Sequence, residues 1–427
     1  MLDIRLFRDN PKIIDNSLKD RHAEKEVLAT VEEIKKIDEK WRKIKFDEEQ
    51  LRSERNKLNN EIINAKKAKK DSVAKDAIEK SQKVSAKIKE ITTETENLEA
   101  KIKELMLNLP NIPDKSVPKG KNENDNPEIR KHGKPEKTGK DVLDHHDLGV
   151  KSGLIDFECG VKLAGHRFTV LKGPVARLER ALINFMLETH TKKGYLEILP
   201  PFMVNTKTIT GTGQLPKFAD QQYKIEGEDL WLVPTAEVPL TNIFADKIIE
   251  LSELPIKLTA YTPCFRKEAG EYGRDIKGLI RQHQFDKVEL VKFSHPKDSF
   301  RELEGMTNDA EEILKLLKIP YRVIELCTGD IGFAAAKTYD MEAWIPSQDK
   351  YREISSCSNC TDFQARRANI KFRNENGETE FAHTLNGSGL AVGRTLIAVL
   401  ENYQEDKKTV VVPDVLKKYL GTDVMEF

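Results

Sequence analysis

FRKEAGEYGRDIKGLIRQHQF, residues 265 to 285, sets Arg266, Lys267, Arg274, Lys277 and Arg281 among three glycines. Its flanks decide the fold. KLTAYTPCFRKE runs into it and RQHQFDKVELVKF leads out, both rich in aromatic and β-branched residues that favour strands. With a side-chain period of two, Arg266 and Glu268 share one face of the first strand. Arg281, Phe285 and Glu289 share one face of the second. A hairpin of the two would gather guanidiniums, an aromatic ring and carboxylates on one surface. Arginine matches phosphate oxygens in a rigid fork, and an aromatic face stacks on a base. An ATP site is one reading of this surface, and a solvated hairpin with ordinary surface charge is the other.

Working outward, DLWLVP, YDMEAWIP and KYREISSC are further short apolar stretches with few helices between them. Pro174 suits the first turn of a helix reaching about Thr191, with Leu178, Ala181, Leu182, Phe185 and Met186 on its buried side. GYLEILPPFMV then enters a strand. An α+β fold is expected, an antiparallel sheet with flanking helices and not a doubly wound parallel one.

Residues 27 to 105 contain neither proline nor glycine. Apolar residues recur there at Ile37, Trp41, Ile44, Leu51, Leu58 and Ile62, interrupted by Glu48 and Arg55. A stricter run follows at Val84, Ile88, Ile91, Leu98, Ile102 and Leu105, with Thr95 out of character. These heptads predict two long helices packed on each other as an antiparallel coiled-coil arm. The turn falls within NAKKAKKDSVAKD, where Asp71 and Ser72 can cap the second helix. Lys66, Lys67, Lys69 and Lys70 would then crowd the tip, either as a solvated end or as point charges for a phosphate backbone. Residues 107 to 140 hold five prolines and three glycines, which suits a linker or an extended wrap. The expected domains are 1–106, with the arm at about 27–105, then the linker 107–140, then 141–427.

Lys+Arg and Asp+Glu are both 71, so no global charge excess attracts a nucleic acid, and any such partner must meet a local basic patch. The N-terminus has no apolar run and no stretch approaches a membrane span. Five cysteines suit a reduced compartment, and a cytoplasmic protein is expected. Cys357 and Cys360 form a lone CxxC without a second ligand pair nearby, so they are read as structural. His145 and His146 are read as linker histidines. GTGQLPKF lacks the GxxxxGK[ST] of a P-loop, and no strand runs into a GxGxxG.

With these stretches in order, the chain resembles the class II aminoacyl-tRNA synthetases, and among them the bacterial-type seryl-tRNA synthetases. KKGYLEILPPFMV with Pro201 resembles the first class motif. FRKE with its loop and return strand resembles the second, and NGSGLAVGRTLIAVLEN with Arg394 the third. TGQLPKF, PTAEVPL and EISSCSNCTDFQARR also fall at the family's positions. The resemblance covers the whole chain. It implies a homodimer that activates L-serine with ATP and Mg²⁺ to seryl-adenylate, then esterifies the 3′-terminal adenosine of serine tRNA. Service to selenocysteine tRNA is implied too, where the organism has one.

By the same resemblance, Arg266 holds the α-phosphate, Glu268 the adenine amino edge, and Phe285 stacks on the ring. Arg394 grips the γ-phosphate end, and Arg281 makes a further polyphosphate or acyl-phosphate contact. Lys267, Ile354 and Ser355 accompany the ATP-binding residues. Glu353 and Ser356 resemble the magnesium ligands, although strict strand alternation aligns Glu353 with Ser355. Either a bulge falls there or the strand ends early. Thr235, Ala236, Glu237, Glu289, Asn386 and Ser388, with Arg266, are implied around L-serine, Glu289 being first choice for the α-ammonium. The arm with its lysine tip is implied to grip the tRNA. An arm-bearing RNA-binding protein without catalysis should have lost Arg266, Glu268, Glu353 or Arg394, and all four are present. A paralogue that loads a carrier protein would have little use for the arm. A purely structural coiled coil leaves the chain beyond residue 140 unexplained.

Overall fold

The computed structural model describes residues 1–135, 143–269 and 278–427. They form two compact units, one of residues 3–18 and 23–109, the other of residues 1–2, 19–22 and 110–427. Arg274 and Lys277 lie outside the described residues.

The first unit is built on helices α1 (Lys25–Lys67) and α2 (Asp71–Met106). At 1.5 Å per residue, α1 is roughly 65 Å long. Lys40 pairs with Glu94, Trp41 donates to Glu99, Thr92 donates to Glu48, and Ser81 donates to Asn59. Residue numbers fall on one helix as they rise on the other, so the pair is antiparallel. Val31, Ile34, Leu58 and Ala65 of α1 and Ala74, Ala77, Ile88, Ile102 and Met106 of α2 are buried. Two residues that break the heptad pattern, Glu48 and Thr95, are themselves buried in this unit. Glu48 accepts from Arg52, Lys45 and Thr92, while Thr95 returns its hydroxyl to the Ile91 carbonyl. Buried Asp38 accepts from Arg8 and Arg42. The turn is tighter than expected, only Ala68 to Lys70, with Lys69 at φ 55°. Neither Asp71 nor Ser72 caps α2. Lys70 takes the cap position without a side-chain bond, and Asp71 is the first helical residue, where its charge favours the positive end of the helix. Lys66, Lys67, Lys69 and Lys70 are all exposed.

The second unit carries an eight-stranded sheet of β1 (Glu128–His132), β2 (Leu196–Glu197), β3 (Ile256–Phe265), β4 (Gln284–Ser294), β5 (Tyr321–Glu325), β6 (Lys337–Ile345), β7 (Lys350–Asn359) and β8 (His383–Ala391). Across the sheet the order is β1-β5-β6-β7-β8-β4-β3-β2. Every pairing is antiparallel except β2 with β3. Among the helices that accompany it are α3 (His145–Ser152), α4 (Gly173–Lys192), α5 (Ser299–Leu316) and α6 (Val392–Asn402). Leu178 and Met186 of α4, Leu303 and Ile313 of α5, and Leu396 and Val399 of α6 form one core with Val288, Leu290, Met341 and Leu385 of the sheet. The apolar positions read for the α4 stretch are all buried.

The proline-rich stretch is not free chain up to residue 135. Asn111 bonds through its backbone to Phe333 and through its side chain to the Ala334 and Cys360 carbonyls. β1 pairs with β5 at the sheet edge. His145 and His146, read as linker residues, instead open α3. His145 is buried against Glu401 of α6, because a polar ring taken out of water needs partners for both nitrogens. Cys357 and Cys360 are buried free thiols, and among the described residues no cluster of potential metal ligands contains a cysteine.

The buried carboxylate of the arm offers a test. Hydrogen bonds from Arg52 and Lys45 hold Glu48 down to about 2, against 4.5 ordinarily. Its folded value lies below its unfolded one, so its contribution is complete above pH 4.5 and is lost as pH falls towards 2. Glu48→Gln should remove that component. Helix melting followed by circular dichroism should lose more temperature in the wild type than in the variant between pH 6 and pH 3.

Candidate active site

A cleft of about 310 Å³ opens where β4, β7 and β8 meet the start of α6. That size falls within the range of small-molecule sites. Strand alternation builds its floor: Phe285, Lys287 and Glu289 of β4 face the cleft, while Val288 and Leu290 between and beyond them enter the core. The hairpin of β3 and β4 is present, but three residues expected on its strands stand outside them. β3 ends at Phe265 and β4 begins at Gln284, which leaves Arg266, Glu268 and Arg281 on the connecting chain. Arg266 extends the ladder by one bond, its N–H donating to the His283 carbonyl. Glu268 then turns away at φ 48°, so the period of two no longer places it. All three still line the cleft. Arg281 donates to Glu268 at 2.6 Å. The Arg266 guanidinium donates to the Pro234 carbonyl and lies 5.3 Å from the Phe285 ring centroid.

One end of the cleft is a buried polar network. Glu289 pairs with Lys287, and Thr235 donates to Glu289 at 3.0 Å while accepting from Lys287 at 2.8 Å. The Thr235 hydroxyl also accepts from the Glu237 N–H. One oxygen of Glu237 receives Gln364 at 2.6 Å and Asn386 at 3.1 Å. Burial, with the nearby Glu289 charge, pushes the Glu237 carboxyl up to about 7. Ser388 stands opposite Glu289 in the pairing of β8 with β4. The network offers a carboxylate, an acid held near neutrality and several hydroxyl or amide groups, enough to bind an ammonium and a hydroxyl together.

At the other end Arg394, in the first turn of α6, donates to the carbonyls of Glu353 and Ile280 and pairs with the Glu353 carboxylate at 3.3 Å. That guanidinium holds the Glu353 carboxyl below its ordinary range. The conflict over strand alternation is resolved by a bulge. On β6, Met341 and Glu342 are consecutive, yet they face Ser355 and Glu353 of β7, so Ile354 is the extra residue. The bulge brings Glu353 and Ser356 to the same cleft. Ser355 is turned away and donates to the Ser388 carbonyl. Behind Ser356 lies Asp340, its cross-strand partner, whose carboxyl burial raises well above the usual range.

Not every expected residue is in the cleft. Ala236 is buried in a separate apolar cluster with Leu240 and Leu258. Lys267 lies over the Tyr223 ring and its N–H donates to Gln221. Ile354 reaches the cleft edge but belongs mainly to the core. Sequence reading missed Lys287, Gln364 and Asp340. Lys287 could have been found, since it sits two residues from both Phe285 and Glu289.

Comparison with known proteins gives a consistent picture. Residues 221–403 match the tRNA synthetase class II core domain (G, H, P, S and T), and residues 1–113 match the seryl-tRNA synthetase N-terminal domain. A serine–tRNA ligase of Nitratidesulfovibrio vulgaris is 54% identical over 423 residues, covering 99% of this chain and 98% of that protein. One from Methanosarcina barkeri is 53% identical over 421 residues, covering 99% and 97%. The crystal structure of seryl-tRNA synthetase from Pyrococcus horikoshii complexed with ATP aligns with a TM-score of 0.93 at 42% identity, covering 100% of this chain and 99% of that one.

The raised pKa of Glu237 bears on stability. The folded chain holds this proton more tightly than the unfolded chain, so the stabilisation is complete below pH 4.5 and is lost as pH rises through about 7. Glu237→Gln keeps the acceptor oxygen and never ionises. In thermal melts across a pH series, the variant should gain on the wild type between pH 5 and pH 8.

Proposed function

Since the chain belongs to the seryl-tRNA synthetase family of class II aminoacyl-tRNA synthetases, we infer that it is a serine–tRNA ligase that consumes ATP. The observation that carries this reading is the convergence, in one cleft, of Arg266, Arg281, Arg394, Glu353 and Ser356 with Glu237, Glu289 and Asn386. In the first step a carboxylate oxygen of L-serine attacks the α-phosphorus of ATP. A new oxygen–phosphorus bond forms, the bond to the bridging oxygen breaks, and pyrophosphate leaves. In the second step a hydroxyl of the tRNA 3′-terminal adenosine attacks the serine carbonyl, the ester forms, and AMP departs.

Arg266 meets the α-phosphate, where charge rearranges, and preorganised cations are worth most there. Phe285 supplies the platform for adenine and Glu268 its amino edge. Arg394 and Arg281 hold the rest of the polyphosphate. The ammonium of serine is anchored by Glu289, with Thr235, Glu237, Asn386 and Ser388 around the side chain. A site built to hydrogen-bond the hydroxyl rejects alanine and glycine because its own polar groups would be left unpaired. Glu353 and Ser356 offer the hard oxygen pair that suits Mg²⁺, which when bound would neutralise polyphosphate charge.

Serine tRNA is met by the arm, with Lys66, Lys67, Lys69 and Lys70 addressing its backbone, and selenocysteine tRNA is served in the same way where the organism carries one. The chain acts as a cytoplasmic homodimer through its second unit. Leu196, Leu199 and Met203, on the motif that resembles the class II subunit contact, are 62%, 82% and 48% exposed, an apolar strip that a second copy would cover. No helix among the described residues is long and apolar enough to cross a membrane.

ATP–pyrophosphate exchange with each amino acid in turn tests the reading. Serine should dominate, and an absence of serine-dependent exchange would sink it. Arg266→Ala and Arg394→Ala should each slow adenylate formation by roughly 10² to 10³, measured before steady state. Changing the four tip lysines to glutamine should leave exchange largely intact while transfer to tRNA falls. The fall of tRNA affinity with salt should also become shallower. Equal losses of exchange and transfer would contradict that division of labour.

A further inference from the structure

His145 takes no part in the reaction just described, yet it is 3% exposed and bridges two of the elements that shape the cleft. Its Nδ1 lies 2.7 Å from Glu401 Oε1 on α6, and its own backbone N–H donates to the same oxygen at 3.1 Å. The other Glu401 oxygen accepts from the Ser347 N–H at 3.0 Å. Burial alone would raise the Glu401 carboxyl, but the hydrogen bonds from His145 and Ser347 outweigh it and hold it below its ordinary value. A carboxylate only accepts, so Nδ1 must carry the ring proton. On the far side, Leu279 N–H donates to Nε2 at 3.2 Å, so Nε2 must be bare. Both bonds together require the neutral Nδ1–H tautomer.

What the ring holds is the start of the segment returning to β4. Leu279 is followed by Ile280, whose carbonyl accepts from Arg394, and by Arg281, which pairs with Glu268. Gly278 precedes it at φ +83°, and a Cβ there would come within 2.2 Å of His145 Nε2. Only glycine admits both the left-handed backbone and this approach of the ring. Gln282, held by Thr169, donates back to the Gly278 carbonyl at 3.0 Å.

We propose that His145 is a positioning residue for ATP, tying Leu279 to Glu401 so that Ile280 and Arg281 stand at a fixed distance from Arg394. The inference rests on the ligase reading of the cleft. The serine end is braced separately, by Gln364 on Glu237 and by Lys287 with Thr235 on Glu289. Loss of the tie should therefore weaken ATP and spare serine.

Two amide replacements divide the two bonds. His145→Asn places its amide near Nδ1 and keeps a donor for Glu401 while losing the acceptor for Leu279. His145→Gln reaches the Nε2 position and keeps that acceptor. Pyrophosphate exchange on the full-length chain would give KM for ATP and for serine, alongside a melting temperature for each variant. His145→Asn should raise KM for ATP roughly tenfold, in line with the cost of slight misplacement. KM for serine should stay within about twofold, and His145→Gln should recover most of the ATP loss. The proposal is overturned if both KM values rise together, if neither changes, if His145→Gln recovers nothing, or if His145→Asn does not fold. The last outcome would make the bond to Leu279 a structural one. A wild-type chain without serine-dependent exchange would instead defeat the ligase reading, and the inference with it.

Discussion

Lys287 and Glu289 are buried on one face of β4, and the floor of the cleft follows from the need to satisfy them. A charge taken out of water is costly unless paired and hydrogen-bonded. Pairing the two with each other leaves donors and acceptors over, and the Thr235 hydroxyl accepts a hydrogen bond from Lys287 and donates one to Glu289. That fixes the chain after Pro234 against β4. Thr235 in turn accepts from the Glu237 N–H, which sets Glu237 beside Glu289, and burial, with the neighbouring Glu289 charge, raises the Glu237 value. Gln364 and Asn386 then close the network from α-helical and strand positions on the far side. The polar end of the cleft is thus assembled from four stretches that have no reason to meet other than polar satisfaction.

How much of this was legible in the sequence depends on the range of the interaction. The two long helices, the helix opening at Pro174 and the hairpin of β3 and β4 depend on local periodicity, and they appear where the pattern placed them. Strand ends are different. Arg266 and Arg281 carry the period of a strand, but the first strand ends one residue before Arg266 and the second begins three residues after Arg281. The bulge at Ile354 is visible only against β6, because an extra residue is defined by its partner strand. The environment of His145 was hidden for the same reason, its partners lying 134 and 256 residues away. Gln364 carries no local signal at all.

The arm shows a second use of buried polarity. An all-apolar seam would let the two helices slide by a heptad with little penalty. Glu48 in that seam is satisfied by Arg52 and Lys45 on its own helix and by Thr92 on the other. Sliding by a heptad would break the bond from Thr92 to Glu48, and a polar residue in the seam can specify register in this way. The register decides where α1 ends relative to α2, and so holds the turn to Ala68, Lys69 and Lys70. The position of the exposed lysines is therefore set by a carboxylate some twenty residues down the helix.

The same chain is neutral overall, with 71 basic and 71 acidic residues, yet it gathers cations in two places. It holds the two sets differently. In the cleft each cation is braced by a neighbour: Arg281 by Glu268, Arg394 by Glu353, Lys287 by Glu289, and Arg266 by the Pro234 carbonyl and the Phe285 ring. Braced guanidiniums lose little conformational freedom when a phosphate arrives, and they need not reorganise as charge moves in the transition state. In the proposed reading the carboxylates that brace them have a second task, Glu353 towards a divalent cation and Glu268 towards a base. At the tip the lysines are exposed on flexible stems, which suits the proposed grip on a phosphate backbone without base reading. Rigid, paired arginines suit a reaction whose geometry is fixed to fractions of an ångström. Solvated lysines suit a grip that must tolerate sequence variation in its partner.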